Sequence, residues 1–292
     1  MAEPTTHTLE VPGALLHYDI REPQGADSTE PALLLIGSPM GAAGFVSLAS
    51  HFPDRRIVTY DPRGAERSTR TDGATETNVE EHVEDLHRLI GAIGGEPVDV
   101  FASSGGAVNA LALVATYPND VRTLVAHEPP ASAMLPDHQA ALAASQDMVD
   151  TYATQGLGPA MVKFFSIVSH VGPIPSDFGK QEFPDPGQFG LPTEDDGSRN
   201  DALMMNMNSS SSYVHDYGAL RAAPTNVIIA VASEGEGTLA RRGGEAIAAG
   251  LGTEPVIFPS NHGGFLGGEY GQMGEPAEFA AKLRSVLTEA TT

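Results

Sequence analysis

Val98-Asp99-Val100-Phe101-Ala102-Ser103-Ser104-Gly105-Gly106 is the stretch on which the fold turns. An apolar run over residues 97–102 reads as a buried strand, and a helix-like run over 107–117 begins directly after the two glycines. A serine set in so abrupt a strand-to-helix bend needs small neighbours two positions before and two after it, because strand and helix meet there. Ala102 and Gly106 meet that need around Ser104, whereas Ser103 would put Phe101 at the crowded position. Ser104 is therefore the candidate nucleophile.

The flanking sequence repeats the strand-then-helix rhythm. Runs over 32–36 and 56–60 end in the turns Gly37-Ser38-Pro39 and Asp61-Pro62-Arg63-Gly64, and 122–127, 226–232 and 255–259 read as further strands. Thr77-x-x-Glu80 has the form of a capping box. Val79, Val83, Leu86, Ile90 and Ile93 follow it at helical spacing, and 239–251 also reads as a helix despite its glycines. Strands separated by helices imply parallel β-α-β units and the α/β class. The rhythm breaks over 132–217, where two or three helical segments surround a Pro/Gly-rich loop at 173–197 and no strand is expected. This divides the chain into a first core part (1–131), a helical lid insertion (132–217) and a second core part (218–292).

Composition narrows the chemistry. A formal charge of −22 over 292 residues disfavours nucleic acid and anionic membrane as partners. No apolar run approaches the roughly 20 residues of a membrane span, and the first residues do not resemble a secretory signal, so a cytoplasmic location is expected. Without cysteine there is no disulfide, thiolate ligand or Cys nucleophile. The histidines show no paired ligand spacing and no phosphate-loop motif occurs, so no metal and no cofactor are expected. The expected partner is a small-molecule substrate; a homodimer stays open.

Three motifs in order resemble the α/β-hydrolase superfamily over nearly the whole chain. These are the Ser104 bend, Gly37-Ser38-Pro39 as a His-Gly-x-Pro turn with Ile36 in place of His, and the segment 61–68 as Asp-x-x-Gly-x-Gly-x-Ser with Glu66 in place of the second glycine. The resemblance implies an α/β-hydrolase fold with a mostly parallel central sheet flanked by helices. It also implies a catalytic triad and an oxyanion hole formed by the backbone N–H groups of Ser38 and Gly105. By the chain order of that fold (Ser, acid, His), the base is His262, in Pro259-Ser260-Asn261-His262-Gly263-Gly264-Phe265 after the last strand. Among the other histidines, His127 is expected to face away from its neighbour Glu128, His82 and His87 belong to the helix near Thr77, and His215 in the lid reads as solvated or capping, with substrate contact as the alternative.

Two acids fit two branches of the superfamily. Ala232-Ser233-Glu234 would stand for Gly-x-Asp after the strand 226–232. Val125-Ala126-His127-Glu128-Pro129-Pro130 resembles the pattern of haloalkane dehalogenases and zearalenone-type lactonases, with Glu128 placed 24 positions (128 − 104) after Ser104. A carboxylate between an apolar strand and two prolines should be buried and needs a cationic or hydrogen-bonding partner, so Glu128 is preferred and Glu234 is the alternative.

These residues predict a serine esterase or lactonase acting through an acyl-enzyme on Ser104, with apolar insertion residues (Met161, Phe165, Met204 and Met207) contacting a small, largely apolar substrate. Thioesterase, C–C hydrolase and cofactor-free perhydrolase chemistry use similar residues. A non-catalytic small-molecule-binding protein of the same fold is the alternative outside enzymes.

Overall fold

Along the central strands, alternate side chains enter two separate cores. Leu34 and Ile36, Val100 and Ala102, and Leu124 and Ala126 face one side with Val83, Leu86, Ile90, Leu111 and Val114. Leu33, Leu35, Phe101 and Val125 face the other with Phe45, Leu48, Phe265, Phe279 and Leu283. Burial on both faces is why these strands read as unbroken apolar runs rather than as alternating ones. The computed structural model describes residues 3–25 and 30–289.

Among those residues the strands are β1 (Thr5–Val11), β2 (Ala14–Arg21), β3 (Leu33–Ile36), β4 (Ile57–Asp61), β5 (Thr69–Arg70), β6 (Val98–Ser103), β7 (Val121–His127), β8 (Asn226–Ala232) and β9 (Val256–Phe258). They form one sheet in the order β1-β2-β4-β3-β6-β7-β8-β9, with β5 paired to β2. Pairing from β4 to β9 is parallel, and β1, β2 and β5 add an antiparallel edge. The helices are α1 (Val46–Ser50), α2 (Val79–Ala92), α3 (Gly105–Thr116), α4 (His138–Gln155), α5 (Leu157–Ser169), α6 (Ala202–Ser212), α7 (Tyr217–Ala222), α8 (Leu239–Leu251) and α9 (Pro276–Glu289). None of the described helices is long and apolar enough to cross a membrane.

The β1–β2 hairpin lies outside the elements expected from sequence. Its signal is the alternation of Leu9 and Val11, then Ala14, Leu16 and Tyr18, around the turn at Pro12-Gly13, where Gly13 takes φ 77°. The cap of α2 falls one residue later than the Thr77 box: Asn78 accepts from the Glu81 N–H, and Glu81 returns the bond to Asn78 N–H. Thr77 is engaged elsewhere. Its hydroxyl accepts from Arg70, its N–H donates to Met205 O at 3.0 Å, and its carbonyl accepts from Ser209 Oγ at 2.6 Å. Helix α8 tolerates its glycines because it presses on the chain after β7: a Cβ on Gly243 would lie 2.3 Å from Pro129 O.

Between β7 and β8 the described chain has no strand. Its helices α4, α5 and α6 pack around Leu135, Met148, Ile167, Ile174, Phe178 and Met207, together with Leu239 at the start of α8. Strand order reverses between β3 and β6: the chain moves outward from β3 to β4, then crosses to β6 on the other side. In open parallel sheets the crevice beyond the strand ends at such a switch point is where ligands bind. The C-terminal ends of β3 and β6 bring Ser38 and Ser104 to that point.

Candidate active site

Ser104 holds φ 56° and ψ −128°, a backbone conformation that side-chain-bearing residues rarely adopt. Such strain persists only where surrounding contacts over-determine it. Here Ser104 N–H donates to His127 O at 2.9 Å on the neighbouring strand, and Ser104 O accepts the first bonds of α3 from Ala107 and Val108. The small neighbours are required sterically: a Cβ on Gly106 would lie 2.7 Å from Ile36 O, and one on Gly105 would lie 2.6 Å from Ser38 O. The same close approach sets the Ser38 and Gly105 backbones side by side at the N-terminus of α3, where free N–H groups and the helix dipole favour negative charge.

The end of β4 holds the chain just beyond the turn that carries Ser38. Asp61 Oδ1 accepts from Ala42 N–H at 2.8 Å, and Asp61 Oδ2 accepts from Arg67, whose guanidinium also makes two bonds to Asp19. Glu66 adopts φ 50°, so the conformation that favours glycine is present even though glycine is not.

Glu128 directly follows β7, one strand over from the strand that leads to Ser104, and is 1% exposed. It too has positive φ, 48°, which turns its side chain toward the loop after β9. Its Oε2 lies 2.6 Å from His262 Nδ1, and its Oε1 accepts from Ala232 N–H at 3.0 Å. Burial works to raise the Glu128 carboxyl, but the hydrogen bond and charge of His262, the nearby His127 and the Ala232 N–H outweigh it and hold the group below the usual carboxylate range. His262 keeps 46% of its side chain exposed, so the ring joins a buried acid to open space. Glu234 stands on an exposed turn, where its N–H donates to Ser260 O. Of the two acids, Glu128 is the one bonded to His262.

One expectation is corrected. His127 does not face away from Glu128: a ring nitrogen lies within 4.8 Å of the Glu128 carboxylate, and its ring lies 5.8 Å from the His262 ring with planes 25° apart. The cue is strand periodicity, since residues 125 and 127 of β7 share the face of Phe101. Ligating atoms of His127, Glu128 and His262 lie within 4.8 Å of one another. The 2.6 Å between His262 Nδ1 and Glu128 Oε2 is a hydrogen-bond distance, shorter than the roughly 3.3 Å between two nitrogen or oxygen ligands on one tetrahedral zinc. The pair as placed suits proton sharing rather than metal binding.

Met204 packs with Tyr152 and Ala160, with Met161 and Leu203 beside them. Met207 joins Ile167 and Ile174. Phe165 is 38% exposed and touches Phe164 and Phe189. All four residues thus take part in the insertion's own packing. His87 bonds Asp120 and stacks on Tyr117, while His82 is buried with Nε2 2.6 Å from Asn206 Oδ1 on α6. His215 is buried as well, edge-on to Tyr213, and is neither solvated nor shown to cap a helix.

A family profile described as alpha/beta hydrolase fold matches residues 31–166, a stretch that includes the Ser38 turn, the Ser104 bend and Glu128. The chain is an enzyme of the alpha/beta hydrolase fold. An uncharacterized hydrolase of Bacillus subtilis, YraK, is 29% identical over 266 residues, covering 88% of this chain and 89% of its own. A thermophilic esterase from Thermogutta terrifontis superposes with a TM-score of 0.69 at 17% identity, covering both chains in full. A structure from work on carboxylesterases of the thaumarchaeon Nitrososphaera gargenis gives 0.68 at 16% identity, covering 98% and 99% of the two chains. At these identities the two structures establish the hydrolase fold of this chain, not its substrate.

Proposed function

We propose that this alpha/beta hydrolase is a serine hydrolase that cleaves a carboxylic ester or lactone of a small, largely apolar molecule. The observation that carries the reading is the 2.6 Å bond from His262 Nδ1 to buried Glu128, made beside the strand end that presents Ser104 in a strained bend. In this mechanism Nε2 of His262 takes the Ser104 proton as Oγ attacks the substrate carbonyl, while Glu128 holds the ring's orientation and stabilises the imidazolium. The N–H groups of Ser38 and Gly105 receive the developing oxyanion; one such donor contributes about 2.7–4 kcal/mol to lowering the barrier. Collapse of the tetrahedral intermediate expels the alcohol, which takes the proton from His262. Water activated by the same imidazole then releases the acid and restores Ser104.

The insertion 132–217 acts as the lid in this reading, docked on the core where α6 meets the start of α2. A fluorophosphonate probe tests the proposal: it should label the folded wild-type protein and fail to label Ser104→Ala. No labelling of well-folded wild type would favour a binding protein. A panel of p-nitrophenyl esters of graded length, run beside several lactones, then separates the substrate classes.

A further inference from the structure

We propose that His127 is a positioning residue, tying the bend that carries Ser104 to the Glu128–His262 pair and fixing the plane of the His262 ring. The proposal rests on the serine-hydrolase reading and extends it to a side chain outside the triad. His127 bridges both parts of the site. On the nucleophile side its carbonyl accepts from Ser104 N–H at 2.9 Å, and its Nδ1 lies 3.2 Å from Ser103 Oγ, the residue it faces across the β6–β7 ladder. On the other side its ring lies against His262, whose one hydrogen bond to Glu128 fixes a point but leaves the ring free to pivot about that contact. His262 sits on a loop with nearly half its side chain exposed. A second contact, from a fully buried ring offset by 5.8 Å and tilted by 25°, supplies the missing restraint.

Packing alone does not explain an imidazole at this position. Phe101, Phe258, Phe265 and Phe279 surround it at centroid distances of 5.4–6.4 Å, so a fifth phenyl ring would suit the site. Instead Nε2 of His127 is buried with no hydrogen-bond partner among the described residues, which costs about 1–3 kcal/mol. Burial also pushes the His127 imidazole down to about 3, with Glu128 and His262 the charged neighbours that bear on it. It therefore stays neutral when His262 becomes imidazolium, and adds no like charge to the ring it supports.

The test is the second-order rate at which a fluorophosphonate reacts with Ser104, followed against pH, so no natural substrate is needed. His127→Phe should stay folded, with a melting temperature close to wild type. Without the Nδ1 bond to Ser103 the phenyl is not held in the plane that His127 takes, so the reaction should nevertheless slow about tenfold or more, with a displaced pH midpoint, as a tilted base predicts. Ser103→Ala, which frees His127 Nδ1 but keeps the ring, should shift both readouts in the same direction by less. Rates within about twofold of wild type and an unmoved midpoint in His127→Phe would overturn the inference. If His127→Phe fails to fold, an unchanged Ser103→Ala profile overturns it equally. Wild type that does not react at all sinks the parent reading, and this one with it.

Discussion

Ser104 and Glu128 both hold a positive φ at the end of a strand, and at Glu128 this goes with a side chain that reaches His262 on the loop after β9. Two carboxylates stand near that loop, and their environments differ in the way the proposed triad requires. Glu128 is buried, bonded to the ring and held ionised, whereas Glu234 is exposed. Glu128→Gln should therefore lower kcat by about 10³–10⁴-fold, since the amide cannot stabilise the imidazolium or enforce its tautomer. Glu234→Gln should stay within about twofold of wild type, leaving only a surface change. Steady-state kinetics on the best p-nitrophenyl ester measures both, and a larger loss in the Glu234 variant would reverse the assignment. Sequence alone preferred Glu128 and kept Glu234 as the alternative, because both acids follow apolar strands that end on the same edge of the sheet. The bend at Ser104 was legible because it leaves a steric record in its neighbours, and the prolines after Glu128 marked it for burial, but its bond to His262 left no local pattern.

Helix α2 shows how an element can be read correctly and its boundary missed. Val79, Val83, Leu86 and Ile90 face the core as their spacing predicts. Both Thr77 and Asn78 can cap a helix, and both are followed three residues later by glutamate. Asn78 takes the role because Arg70 and the insertion helix α6 claim the Thr77 hydroxyl and backbone. Asn78→Ala should then cost about 1 kcal/mol of unfolding free energy in urea, the usual worth of an N-cap side chain. An unchanged midpoint would point back to Thr77. Strand β6 carries a related detail: Asp99, 0% exposed within an apolar run, is held by Arg55 at 2.8 Å and Arg122 at 2.6 Å. Its ionic partners come from distant segments, so no local pattern announces them.

For the molecule as a whole, buried histidines set a direction for its response to acid. Burial holds His127 down to about 3 and His215 down to about 4, and it lowers His82 against the opposing hydrogen bond from Asn206. The unfolded chain binds protons at these sites near 6.5, so between that pH and the folded values it carries more protons than the native state. Stability contributed by the three groups is thus fully present above about pH 6.5 and falls as pH drops toward the folded values. For His127 and His215 the loss between pH 7 and pH 5 is about 2 kcal/mol each, from 1.5 pH units at about 1.36 kcal/mol per unit. Glu128, also depressed, adds to the loss in the same direction below its ordinary range. Thermal melts from pH 7 to pH 5 should show a steady fall in Tm, and a Tm that rises over that interval would contradict the assigned neutral states.

Local chemistry was enough to read the α/β class, the strand runs, the helices that flank them and the serine bend. Each of these depends on neighbours in sequence: apolar period, turn residues, and small side chains where strand and helix touch. Other features depend on residues that only folding brings together. The pairing of Glu128 with His262 spans 134 positions, and the stacking of His127 on His262 closes a contact across β7 and the loop after β9. The packing that draws Met204 and Met207 into the insertion's own core has the same origin. A carboxylate's partner, a ring's tilt and a methionine's neighbours are set by where the chain returns, and a linear pattern does not encode that distance.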